Sequence, residues 1–100
     1  MKLNSMSLME TTSLEKNLHN WFVYILRCAD NSLYTGLTND LDQRLEKHNL
    51  GKGAKYTRSR LPVEIVYSEK LASKSDALKR ECQIKKMKRA EKMQLILEFY

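Results

Sequence analysis

Trp21-Phe22-Val23-Tyr24-Ile25-Leu26, followed after a short polar break by Leu33-Tyr34-Thr35-Gly36-Leu37-Thr38, decides the fold. The first run is apolar throughout and made of aromatic and branched residues, which predicts a central strand buried on both faces. Ala29-Asp30-Asn31-Ser32 supplies turn residues between the runs, so the second run returns beside the first as a β-hairpin.

Working outward, Thr38 or Asn39 is placed to cap a helix whose first turn holds Asp40 and Asp42, where the helix dipole favours acids. That helix should run to about Leu50 and stop at Gly51. Residues 51–61 have no apolar period and read as a loop. Pro62 opens a third strand, Val63 to Ser68, and Ser73-x-x-Asp76 resembles a capping box for a second helix ending near Lys88. Met93, Leu95, Ile96 and Phe99 lie on a helical period and predict a third helix from Ala90. Residues 1–20 are polar and read as a flexible tail ahead of a domain spanning 21–100. The order β-β-α-β-α-α predicts an α+β domain, within the broad α/β class: a three-stranded, mostly antiparallel sheet flanked by helices.

A chain of 100 residues holds one domain, and its 42% hydrophobic content sustains a core resting on large side chains such as Trp21, Phe22, Tyr24 and Tyr67. Two cysteines, Cys28 and Cys82, without CxxC spacing argue against a disulfide framework or a cysteine zinc site. The longest apolar run is far too short to span a bilayer, and no signal segment opens the chain, so a cytoplasmic protein is expected. The net charge of +6 suits a polyanion partner. Most of the basic residues fall in 52–60 and 79–92, stretches whose only acids are Glu81 and Glu91. Lys52, Lys55, Tyr56, Arg58, Arg60 and Lys85 are therefore candidate nucleic-acid contacts, against the plainer reading of a solvated basic face.

Three features could carry chemistry: the hairpin with Tyr24 and Tyr34, the helix with Arg44 and His48, and Glu81 on the next helix, although spacing alone makes neither tyrosine more than a core aromatic. Arg44 and His48 stand one turn apart on one helix face, beside the apolar pair Leu41 and Leu45. They are either an exposed shoulder or a pair turned toward a site. Glu81 falls inside the apolar stripe of Ala77, Leu78 and Ile84, and a carboxylate there needs a partner. Lys85, one turn on, would serve as a helix ion pair; a metal would serve equally. Gly36 ends a strand and marks either a plain terminus or the close approach of another group.

Together these residues resemble the GIY-YIG nuclease superfamily over residues 21 to about 95. Phe22-Val23-Tyr24 stands for the first family motif and Tyr34-Thr35-Gly36 for the second. Arg44, with His48 in Arg-x-x-x-His spacing, and Glu81 follow in the family's order. Gly51-Lys52-Gly53-Ala54-Lys55-Tyr56-Thr57 and Arg80-Glu81-Cys82-Gln83-Ile84-Lys85-Lys86 look most like its small stand-alone bacterial branch. The chain departs from the pattern in three places. Phe22 replaces the first motif's glycine, Leu37 stands where some repair members have lysine, and Lys92-Met93-Gln94 lies where many members carry asparagine.

The resemblance implies an endonuclease hydrolysing phosphodiester bonds with one Mg²⁺ or Mn²⁺ held by Glu81. Arg44 would sit on the scissile phosphate, and Tyr34 would complete the phosphate cradle. Tyr24 would orient or deprotonate water, with His48 behind it because a free tyrosine's pKa near ~10 makes a poor base. The expected partner is nucleic acid, DNA before RNA, in branched, nicked or single-stranded form. Two rivals stand beside this reading. One is a module of the same fold that binds without cutting; the other is a protein-interaction domain with an unidentified acidic partner.

Overall fold

The computed structural model describes residues 20–99. The segment read as an N-terminal tail lies outside the described residues, except for residue 20. Strands β1 (Trp21–Arg27), β2 (Leu33–Thr38) and β3 (Glu64–Leu71) form one fully antiparallel sheet in the order β2-β1-β3. Helices α1 (Leu41–Asn49), α2 (Lys55–Arg58), α3 (Lys74–Lys85) and α4 (Arg89–Phe99) flank it. The expected order holds, with one addition. Part of the stretch read as a loop closes into the single turn α2, whose N-cap is Ala54. A four-residue turn is too short to show an apolar period, so pattern could not find it.

The central strand is β1, and Val23 to Leu26 are all buried. Side chains alternate across a strand, so this apolar run serves two cores. Val23 and Ile25 pack with Val66, Ala77, Ile84 and Ile96 beneath α3 and α4. Tyr24 and Leu26 pack with Cys28 and Val63 against Leu41 and Leu45 of α1. Of the four aromatics expected to dominate the core, only Tyr24 is fully buried; Trp21, Phe22 and Tyr67 are half-buried. Leu78, read as part of the α3 stripe, faces solvent, as does Cys82.

The caps explain where α1 begins and ends. Asp40, rather than Thr38 or Asn39, is the N-cap: its Oδ1 accepts from the Gln43 N–H at 3.1 Å, while Thr38 Oγ1 accepts the Asp40 N–H at 3.1 Å. At the other end Gly51 takes φ +76, a conformation that glycine adopts without steric cost. Its N–H donates to His48 O and the Lys52 N–H to Lys47 O, a Schellman turn that folds the following chain back over α1. The Asn49 amide then clips that chain down, with Nδ2 donating to Val63 O at 3.1 Å and Oδ1 accepting from Val63 N at 2.8 Å. Ser73 caps α3 as expected, accepting from the Asp76 N–H at 3.1 Å. No helix among the described residues is long and apolar enough to cross a membrane.

Candidate active site at the edge of the sheet

The register sets Tyr24 directly opposite Gly36. Cross-strand neighbours lie close enough that a long side chain can cover its partner's backbone. Here the Tyr24 ring does so: a Cβ built on Gly36 would fall 2.5 Å from the Tyr24 hydroxyl oxygen and 2.7 Å from its Cζ. Gly36 thus marks a close approach rather than a plain strand end.

The Tyr24 hydroxyl meets two α1 side chains. His48 Nε2 lies 3.1 Å away, and Arg44 Nε donates to it at 3.4 Å. Arg44 is half-buried and His48 is 0% exposed, so the pair is turned inward and is not an exposed shoulder. Behind His48, Nδ1 is 2.8 Å from Thr57 Oγ1, and that hydroxyl donates to Ala54 O at 2.9 Å. Thr57 is also 0% exposed. Gly53 presses on the same ring, since a Cβ there would lie 2.4 Å from His48 Nδ1. Tyr34, opposite Leu26, sets its ring edge-on to His48 at 5.5 Å and stacks on Tyr56 at 6.1 Å.

Burial pushes the Tyr24 hydroxyl above its ordinary pKa, against a smaller downward pull from the Arg44 hydrogen bond and charge; Tyr34 and Glu81 add to the rise. Tyr24 is therefore protonated at neutral pH. Burial first, and Arg44 second, hold His48 below its ordinary 6.5, so it is neutral and able to accept a proton. The sign of the linkage follows. An unfolded His48 takes up a proton near 6.5 while the folded one resists, so its contribution to stability is present above 6.5 and is lost as pH falls through and below it. Urea titrations at a series of pH values should show that decline in the native chain and a shallower one in His48→Gln.

Glu81 reaches the site from α3, which packs across β2 and β1. Its side chain is 17% exposed, and Lys85 Nζ lies 3.5 Å from Oε2, so the i,i+4 ion pair forms. Among the described residues no three His, Cys, Asp or Glu side chains cluster as a metal cage. One recessed carboxylate suits a hard cation only if that ion keeps several waters and takes further oxygens from a ligand.

Of the basic candidates, Lys52, Lys55 and Arg58 are exposed and make no ion pair among the described residues. Arg60 is engaged inside the chain, donating to Asp30 Oδ2 at 3.1 Å and Tyr56 O at 2.7 Å, with its guanidinium 3.9 Å from the Tyr56 ring centre. Pattern reading missed four residues: Asn49, Gly53, Thr57 and Lys92. Two of them left a signal: Gly53, a second glycine two residues after the one that ends α1, and Lys92, the last basic residue of the 79–92 stretch. Lys92 joins Leu33, Tyr34, Thr35, Tyr56 and Lys85 around a shallow depression on the β2 edge.

Comparisons with known proteins give the family and the fold. The family model described as the GIY-YIG catalytic domain matches residues 20–94. A UPF0213 protein of Syntrophus aciditrophicus is 60% identical over 76 residues, which cover 75% of this chain and 87% of that one. A UPF0213 protein of Staphylococcus aureus is 56% identical over 77 residues, covering 77% and 94%. Among solved structures, an E. faecalis protein determined by NMR superposes with a TM-score of 0.57 at 40% identity, covering 83% of this chain and 88% of that one.

Proposed function

This chain belongs to the GIY-YIG family, and from that premise we propose that it is an endonuclease that hydrolyses phosphodiester bonds in nucleic acid, DNA before RNA. The observation that carries the reading is the Tyr24 hydroxyl, held between a neutral buried histidine and an arginine at an open sheet edge. Hydrolysis needs a proton acceptor for water and positive charge on the phosphoryl oxygens. Tyr24 and His48 supply the first. Arg44 supplies the second, because Nε alone is engaged by Tyr24 and the outer fork is left to grip a phosphate in two places. Tyr34, whose hydroxyl makes no hydrogen bond among the described residues, donates to the same phosphate.

Glu81 would hold one Mg²⁺ or Mn²⁺, completed by waters and substrate oxygens. When bound, such an ion supplies charge neutralisation at the leaving 3′-oxygen. Lys85 then leaves Glu81 and turns to the backbone of the bound strand.

The strand is gripped by Lys52, Lys55 and Arg58 on one side of the site and by Lys85 and Lys92 on the other. Neutralising about five phosphates predicts that log K falls against log salt with a slope near −4.5 on duplex. Lys92→Gln should flatten that slope by about 0.9, uniformly across sequences, in fluorescence-anisotropy titrations. Contacts of this kind carry no base readout, so selection rests on strand shape.

The Lys85 ammonium on Glu81 favours one rival, a module that binds and does not cut, because a cation already balances that carboxylate. The deciding experiment incubates the purified chain with labelled single-stranded, nicked and branched DNA and with RNA, in Mg²⁺, Mn²⁺ or EDTA. Cutting that needs the metal and co-elutes with the protein supports the enzyme. Salt-sensitive binding without cutting on any structure supports the module.

A further inference from the structure

The buried polar chain behind Tyr24 has a direction, and it is set at the Tyr24 end. The Tyr24 oxygen accepts from Arg44 Nε. Its one hydrogen needs an acceptor, and among the described residues its other partner is His48 Nε2 at 3.1 Å. Nε2 is therefore bare, and a neutral imidazole then carries its ring proton on Nδ1. Nδ1 donates to Thr57 Oγ1 at 2.8 Å. The Thr57 hydrogen is left for Ala54 O at 2.9 Å, a carbonyl that also accepts the Thr57 and Arg58 N–H groups at 3.2 and 3.3 Å.

We infer that Thr57 is a positioning residue that holds His48 as its Nδ1–H tautomer, so that the proton leaving the attacking water ends on His48 Nε2 by way of the Tyr24 oxygen. The tautomer stands on geometry alone; the relay rests on the nuclease reading. In the relay the water proton passes to the Tyr24 oxygen as the Tyr24 proton passes to Nε2. The water oxygen forms its bond to phosphorus, and the 3′-oxygen leaves with the electron pair of the broken P–O bond and is protonated by solvent. Tyr24 begins and ends the step protonated, the form that its burial favours. His48 ends as an imidazolium that donates from both nitrogens, and its proton returns through Tyr24 when product departs. Gly53 keeps the ring seated against Thr57, because any side chain there would meet Nδ1 first.

The test is the ¹⁵N spectrum of the His48 ring, read beside kinetics. In the native chain Nδ1 should show the shift of a protonated nitrogen and Nε2 that of a bare one. Thr57→Val keeps the shape of the side chain and removes the lone pair. It should move the ring proton to Nε2 and lower kcat by about 10²-fold with KM within about twofold, the range of a lost proton acceptor. Thr57→Ser should restore the native spectrum and most of the rate. A native ring protonated on Nε2 overturns the inference, even if Thr57→Val does not fold. So does a folded Thr57→Val or Thr57→Ala chain that keeps Nδ1–H unchanged. The expected spectra in a chain that cuts nothing overturn the relay and the nuclease reading together, and leave the tautomer assignment standing.

Discussion

Replacing Glu81 by glutamine is expected to lower cleavage by at least about 10³-fold while leaving affinity for nucleic acid in EDTA unchanged. The substitution keeps the side chain's length and volume and removes its charge. Glu81 has two roles available on α3. As the partner of Lys85 it is one half of an i,i+4 pair on a helix, worth about 0.3–0.5 kcal/mol. As a metal ligand it would act without a cage, because among the described residues no three His, Cys, Asp or Glu side chains cluster. The two roles predict different responses to Lys85→Gln. If the pair is all there is, Lys85→Gln and Glu81→Gln behave alike and neither touches turnover. If Glu81 holds the ion, Lys85→Gln lets the ion bind at lower concentration and weakens only the grip on the strand. Rates across a Mg²⁺ titration, with anisotropy for binding, separate the cases. A Glu81→Gln chain that cuts at the native rate ends the metal reading.

Gly36→Ala is expected to cost about 1–3 kcal/mol of stability and most of the activity, although the added group is one methyl. The new Cβ would sit 2.5 Å from the Tyr24 hydroxyl oxygen, far inside the contact distance of a carbon and an oxygen that are not bonded. Tyr24 cannot retreat cheaply. It is 1% exposed, its hydroxyl is held by His48 and Arg44, and its ring belongs to the core against α1. The strain must push the hydroxyl off His48 or spread the hairpin, and either ends proton transfer. Adding Tyr24→Phe removes the nearer of the two colliding atoms and leaves Cζ at 2.7 Å, so the double variant should regain part of the stability lost in Gly36→Ala while staying inactive. Thermal melts of the four chains give the coupling. Additive losses would show that the ring does not rest on Gly36.

The sequence made the architecture legible because β1 and β2 carry dense apolar runs with turn residues between them, and Ser73 and Gly51 punctuate the helices. It also brought out Tyr24, Tyr34, Arg44 and His48, and the structure sets these four together. What it hid has a common cause. His48 borders the stripe of Leu41 and Leu45, a spacing that fits an exposed shoulder as well as a buried position, and its burial comes from a turn folded over it from outside α1. Thr57 and Asn49 act through hydrogen bonds to residues distant in sequence, and no period registers such bonds. Leu78 misled because an apolar residue beside a stripe need not belong to it. Lys85 was placed both as a helix ion-pair partner and as a strand contact, and only the first needs no ligand to be seen.

The sheet splits the molecule into two compartments with separate apolar cores. Tyr24, Arg44 and His48 belong to the α1 compartment, while Glu81, Lys85 and Lys92 stand on helices of the other. The proposed site exists only where both reach around β2, one of the sheet's two edge strands. Repacking under α1 can therefore drift without disturbing how α3 and α4 seat on the opposite face. Descendants of such a chain could shed turnover and keep their hold on a polyanion, or trade one grip for another around an unchanged proton path.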